Sequence, residues 1–175
     1  MDDNEKNGAG SEDPAVPGNG SGAREEARGN AAEIETRRIT FGSPEYAQGL
    51  RLRDEVLRRP LGMNIANDDL SGDAGALHAG AFAGERLVGT LLLRALDERT
   101  LQMKQVAVNE ALRGAGIGRR LVEYAERLAA EQGYDAIVLN ARDVAVAFYE
   151  KLGYAREGEM FTEIGIPHYR MRKAL

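Results

Sequence analysis

The stretch Arg113-Gly114-Ala115-Gly116-Ile117-Gly118 constrains this chain more than any other. It stands between an apolar run, Leu101 to Val108, and a segment, Ile117 to Gln132, whose apolar residues recur every three or four positions. The pattern is strand, glycine turn, helix. Glycines in the turn let backbone N–H groups approach a ligand with no β-carbon in the way. The helix that follows adds unpaired N–H groups and the positive end of its dipole, so the stretch reads as an anion site, with phosphate as its expected guest.

Spacing narrows the phosphate ligand. A Walker loop needs Lys and a hydroxyl after its last glycine, and neither follows here. A dinucleotide fingerprint needs Gly-x-Gly-x-x-Gly, and counting from Gly114 or Gly116 reaches Ile117 or Leu121 at the final glycine. What fits is Arg/Gln-x-x-Gly-x-Gly/Ala, filled by Arg113, Gly116 and Gly118. This segment resembles the coenzyme A pyrophosphate loop of the GNAT superfamily of N-acetyltransferases. A second segment, Ala145-Val146-Ala147-Phe148-Tyr149-Glu150-Lys151-Leu152-Gly153-Tyr154, resembles the family's A-x-x-x-Y-E-K-L-G-F run. Near the C-terminus, Gly165-Ile166-Pro167-His168-Tyr169-Arg170-Met171 resembles the G-I-P-H-x-x-M ending of the ElaA/YjcF-like branch. The resemblance runs from about Ile39 to the C-terminus.

It implies an α/β fold: a central mixed, mostly antiparallel sheet of six to seven strands, flanked by about four helices and splayed between the strands near 101–108 and 136–141. It implies acetyl-CoA as cofactor and transfer of its acetyl group to a primary amine, of a small molecule before a protein, by direct attack in a ternary complex. The strand end Val106, Ala107 and Val108 is expected to bind the pantetheine arm through its backbone. The loop Arg113, Gly114, Ala115, Gly116, Ile117 and Gly118, with Arg119, is expected to take the diphosphate. Asn140 is placed to hydrogen-bond the cofactor. The family's asparagine seven residues before the tyrosine is replaced by Arg142, which suggests that Arg142 reaches a phosphate instead. Tyr149 is the expected general acid for the departing thiolate, and a second cofactor contact. His168, with Glu163 as rival, is the candidate base or acceptor contact, and His78 reads as structural. No metal is implied. A non-catalytic acyl-CoA-binding sensor is the alternative, and a plain interaction domain stands behind it.

Residues 1–34, rich in Gly, Asn, Asp, Glu, Ser and Ala, hold too few large apolar side chains to offset ordering entropy, so a disordered acidic tail precedes a domain over 35–175. A strand is expected over Ile34–Phe41. Ser43 and Pro44 then start a helix that runs to about Arg58, with an apolar arc of Tyr46, Leu50, Leu52, Val56 and Leu57. The loop Leu61–Ser71 shows nothing chemically distinctive. Apolar runs Ala76–Phe82, Leu87–Leu96 and Leu101–Val108 make three antiparallel strands. The helix after the glycine loop carries an expected Glu123–Arg127 pair, and Ala136–Ala141 follows as a strand parallel to its predecessor, because a helix joins them. In the next helix, Val144 to Leu152, capped by Asp143, Val144, Phe148 and Leu152 form the expected core stripe, with Tyr149 outside it. Tyr154–Phe161 and Ile166–Arg172 close the chain as a hairpin, whose exposed edge offers a homodimer surface.

Charge is uneven: residues 1–35 hold nine acids against three bases, while the whole chain nets −5. The acidity therefore sits in the tail, and the near-neutral remainder offers no field for nucleic acid. The absence of cysteine excludes disulfides and thiol nucleophiles. With no long apolar run and an acidic start unlike a signal peptide, the expected setting is the cytoplasm, away from membranes.

Overall fold

The computed structural model describes residues 33–175. All but the last two residues of the expected acidic tail lie outside the described residues. β1 spans Ile34–Ile39. In α1, Pro44–Arg53, the Ser43 hydroxyl accepts the Tyr46 N–H and Pro44 fills the first turn. The expected helix does reach Arg58, but its last five residues, Asp54–Arg58, form a π-helical turn. Beyond it, around Pro60 and Asn64, only short 3₁₀ turns form. The described residues therefore hold three α-helices where about four were expected.

β2 (Leu77–Ala83), β3 (Arg86–Ala95) and β4 (Thr100–Val108) follow as an antiparallel meander. α2, Ile117–Glu131, crosses to β5, Ala136–Arg142, which pairs parallel to β4. α3 is the short helix Val146–Lys151, and β6 (Ala155–Glu163) and β7 (Ile166–Ala174) form the last hairpin. The seven strands lie in the order β1-β2-β3-β4-β5-β7-β6, and only β4–β5 is parallel. The hairpin inserts β7 beside β5 and leaves β6 at the edge, where a register shift between Glu157 and Phe161 and the charges of Arg156, Glu157 and Glu163 blunt strand pairing.

Helices cover both faces of the left half of the sheet. α2 packs Leu121, Val122 and Ala125 against Ala79, Ala81, Leu101, Met103, Ile137 and Leu139. α1 and its π-turn pack Leu52 and Val56 against Ile39, Phe82, Leu87 and Ala107. β3 is buried on both faces, hence its unbroken apolar run.

Candidate active site

β4 and β5 make the site by parting. Their ladder runs only from Thr100↔Ala136 to Met103↔Leu139, while β4 stays paired with β3 and β5 with β7. Past Met103 and Leu139 the facing edges of the two strands hold backbone N–H and C=O groups outside any ladder. The splay stands where the sequence placed it.

A bulge in β4 lies at the same point. Leu92 faces Lys104 and Thr90 faces Ala107, so Leu91 stands opposite both Gln105 and Val106. Gln105 has φ 56, in the left-handed region that costs a non-glycine residue about 1–2 kcal/mol. The extra residue inverts the side-chain faces: Leu101 and Met103 join the α2 core, whereas Ala107 joins the α1 core. The Gln105 side-chain oxygen is buried with no hydrogen-bond partner among the described residues.

The glycine loop follows. Asn109 accepts the Ala111 N–H and shapes a 3₁₀ turn, after which Gly114 and Gly116 take φ values of 84° and 78°. A β-carbon at either would meet open space, so backbone conformation rather than crowding requires glycine there. Gly116 caps α2 without a side-chain hydrogen bond, which leaves first-turn N–H groups for a ligand. Gly118 differs: a β-carbon there would sit 3.3 Å from the Phe148 ring, so this glycine serves the approach of α2 to the α3 segment. Arg113 is exposed, 3.7 Å from Glu110. Arg119 pairs with Glu123 at 2.9 Å, and Arg127 lies over the Tyr124 ring; the expected Glu123–Arg127 pair does not form.

α3 corrects the expected core stripe. Val144 is 85% exposed and Phe148 37%, whereas Val146 and Tyr149 are buried. The chain enters through a 3₁₀ turn, Asp143–Ala145, which advances about 120° per residue instead of 100° and so rotates Val144 away from the core. The Tyr149 ring packs edge-on to Tyr154 and to Phe148. Its hydroxyl makes no hydrogen bond among the described residues, and burial pushes the phenol well above its ordinary value. Full proton transfer from such a phenol to a thiolate is uphill, by about 1.4 kcal/mol per unit of pKa difference. Donating a hydrogen bond to sulfur is not.

Ile137, Leu139, Ala141 and Tyr149 belong to the α2 core, so alternation turns Asn140 and Arg142 to the opposite face. Arg142 pairs in register with His168, and Asn140 with Arg170. His168 is buried beneath the stacked Phe161 ring. Its Nδ1 lies 2.8 Å from the Ile166 carbonyl oxygen. Since a carbonyl only accepts, Nδ1 carries a proton, so in the neutral ring the lone pair is on Nε2, 3.6 Å from Glu163 Oε2. The fold thus brings His168, Glu163, Asn140 and Arg142 to one face of the sheet and sets Tyr149 on the other.

The loop after α1, which looked undistinctive, holds nested buried ion pairs. Arg53 Nη1 meets Asp73 at 2.7 Å and Arg58 clamps Asp68 through two nitrogens. Tyr46 donates to the same Asp73 oxygen, and burial followed by that carboxylate raises its phenol to about 12. His78 Nε2 lies 2.7 Å from the Asp73 carbonyl oxygen, which bears out a structural role. Asp54 accepts the Ile65 N–H, the chief cause of its lowered pKa. The signal was the matched five-residue spacing of Arg53/Arg58 and Asp68/Asp73, which becomes visible only once the π-turn puts both arginines on one side. A surface hollow of about 630 Å³ lies at the opposite end of β4, among Asp97, Arg99, Thr100, Asp135 and Arg172. Its polar groups already satisfy one another: Asp97 accepts the Arg99 and Thr100 amides and Arg99 pairs with Asp135.

Residues 62–175 match the family model of the acetyltransferase (GNAT) domain. The chain is 36% identical over 106 residues, 61% of its length and 70% of the relative's, to a Bacillus subtilis (strain 168) protein named, without established activity, as an acetyltransferase. It is 35% identical over 97 residues, 55% of its length and 69% of the relative's, to the uncharacterized N-acetyltransferase YjcF of the same organism. Among solved structures, Escherichia coli ElaA superposes with a TM-score of 0.71 at 23% identity, over 80% of this chain and 99% of that one.

Proposed function

The chain belongs to the GNAT acetyltransferase family, and we propose that it moves the acetyl group of acetyl-CoA to a primary amine of a small molecule by direct attack in a ternary complex. One observation carries this reading: β4 and β5 part on the way to an uncapped glycine loop, with a tyrosine and a histidine near the end of β5 on opposite faces of the sheet. The loop suits a diphosphate, since Gly114 and Gly116 already hold positive φ and the α2 N-terminus has no side-chain cap. Residues Arg113 to Arg119 would hold it, and the unladdered backbone of Val106, Ala107 and Val108, with Asn140, would hydrogen-bond the arm that follows. Acetyl-CoA bound there supplies an activated thioester. A backbone N–H near Val106 would stabilise the charge that develops on the carbonyl oxygen. Tyr149 would donate a hydrogen bond to the departing sulfur. His168 Nε2 would take the amine proton, and Glu163 would stabilise the resulting imidazolium.

Thermal unfolding with acetyl-CoA tests the loop. At about 100 times its dissociation constant a ligand adds about 2.7 kcal/mol, which moves the midpoint by several degrees. Gly114→Asp should abolish that shift at a cost of about 1–2 kcal/mol in stability for its positive φ, because its β-carbon meets open space and its charge repels the diphosphate. An equal shift in both proteins would refute the assignment. Amine-dependent thiol release then separates an enzyme from a binding module, and Tyr149→Phe should slow it about 10- to 100-fold, the loss of one hydrogen bond to a charged group.

A further inference from the structure

Half-buried cations normally keep a partner, because desolvating a charge without a counter-group is costly. Among the described residues the buried or half-buried cations follow this rule with two exceptions. Arg37 lies over Phe82, Arg53 and Arg58 pair with Asp73 and Asp68, Arg120 donates to the Ile34 carbonyl, and Lys173 pairs with Glu126. Lys104 and Arg142, both half-buried, meet no carboxylate, carbonyl or ring.

These two stand on the two strands that part. Lys104 is the first β4 residue past the β4–β5 ladder, and Arg142 is the last residue of β5. Leu101 and Met103 point into the α2 core, so alternation turns Lys104 to the opposite face, the same face as Asn140 and Arg142. The charged groups of the neighbouring β6–β7 hairpin on that face are already engaged: Arg170 and Arg172 share Glu157, and Glu163 stands beside His168. The unmatched half-buried charge there is positive, and Arg142 lies in register with His168.

We infer that Lys104 and Arg142 form an anion clamp for the acceptor, so that the substrate is a small primary amine that also carries a carboxylate or phosphate. This rests on the acetyl-transfer reading above. The clamp fixes the anionic end while the amine reaches His168. Arginine offers a planar fork to either anion and lysine a point charge, so both anions are served.

The test uses the full-length protein with coenzyme A, matched amines and variants Lys104→Gln and Arg142→Gln. β-Alanine is compared with propylamine, and phosphoethanolamine with ethanolamine, by calorimetric titration and, with acetyl-CoA, by thiol release. The anionic member of at least one pair should bind at least tenfold tighter than its neutral partner, the stronger pair telling carboxylate from phosphate. Each variant should raise the dissociation constant and KM of that amine at least tenfold and leave the KM of acetyl-CoA within twofold. Equal binding of anionic and neutral amines overturns the clamp, as does a variant that weakens acetyl-CoA instead, which would assign Arg142 to the diphosphate. If no amine releases thiol, the transferase reading fails by itself, and the titrations still decide the clamp.

Discussion

Breaking the Arg53–Asp73 pair tests how the loop after α1 is held. The two side chains are 6% and 8% exposed and their charges meet at 2.7 Å. At an effective dielectric of 20 the gross attraction is about 6 kcal/mol, but desolvation takes back several kcal/mol per ion, so the intact pair is worth little net. Removing one partner is different, because it strands the other. Arg53→Met should cost about 3 kcal/mol, the low end of the usual range, since Asp73 keeps the Tyr46 hydroxyl. Asp73→Leu should cost about 5 kcal/mol, since Arg53 Nε already lacks a partner. In a domain of this size these losses lower the midpoint by about 8–15 °C. The double variant leaves only the Tyr46 hydroxyl unpaired and should lose about 1 kcal/mol. Urea unfolding of all four proteins closes the cycle. Single variants that each cost under about 1 kcal/mol, or a double variant equal to their sum, would refute the reasoning.

The corrected α3 register predicts opposite outcomes for neighbouring positions. Val144→Ala should change stability by under about 0.5 kcal/mol, whereas Tyr149→Ala should cost about 3–5 kcal/mol in the same unfolding assay. Tyr46 should titrate late, with a midpoint near 12 against 10 in the unfolded chain. Because the folded state holds this proton more tightly, its stabilisation is complete below pH 10 and lost as pH rises toward 12. Absorbance at alkaline pH should show one late-titrating phenol fewer in Tyr46→Phe, and the alkaline loss of stability should shrink.

Each feature that sequence reading missed has its own physical cause. Val144, Phe148 and Leu152 make a convincing stripe only if every residue turns by 100°, and the 3₁₀ entry breaks that premise. Lys104 carries no motif, and Arg142 stands out in the sequence only as the replacement of the family's asparagine; what joins the two is the absence of partners, which no string of residues displays. The nested arginine–aspartate pairs lie far apart in sequence and depend on a π-turn that propensity does not announce.

Local chemistry alone determined the cap of α1, the seven strands, the glycine loop and the parallel β4–β5 pairing, because each rests on neighbouring residues or on a single crossover. The tertiary structure decided which face each residue serves. The bulge at Gln105 inverts β4, the hairpin wedges β7 against β5 and so brings His168 beside Arg142, and packing buries Tyr149. Such choices are settled by long-range pairing and by desolvation, whose free energies belong to contacts between distant parts of the chain.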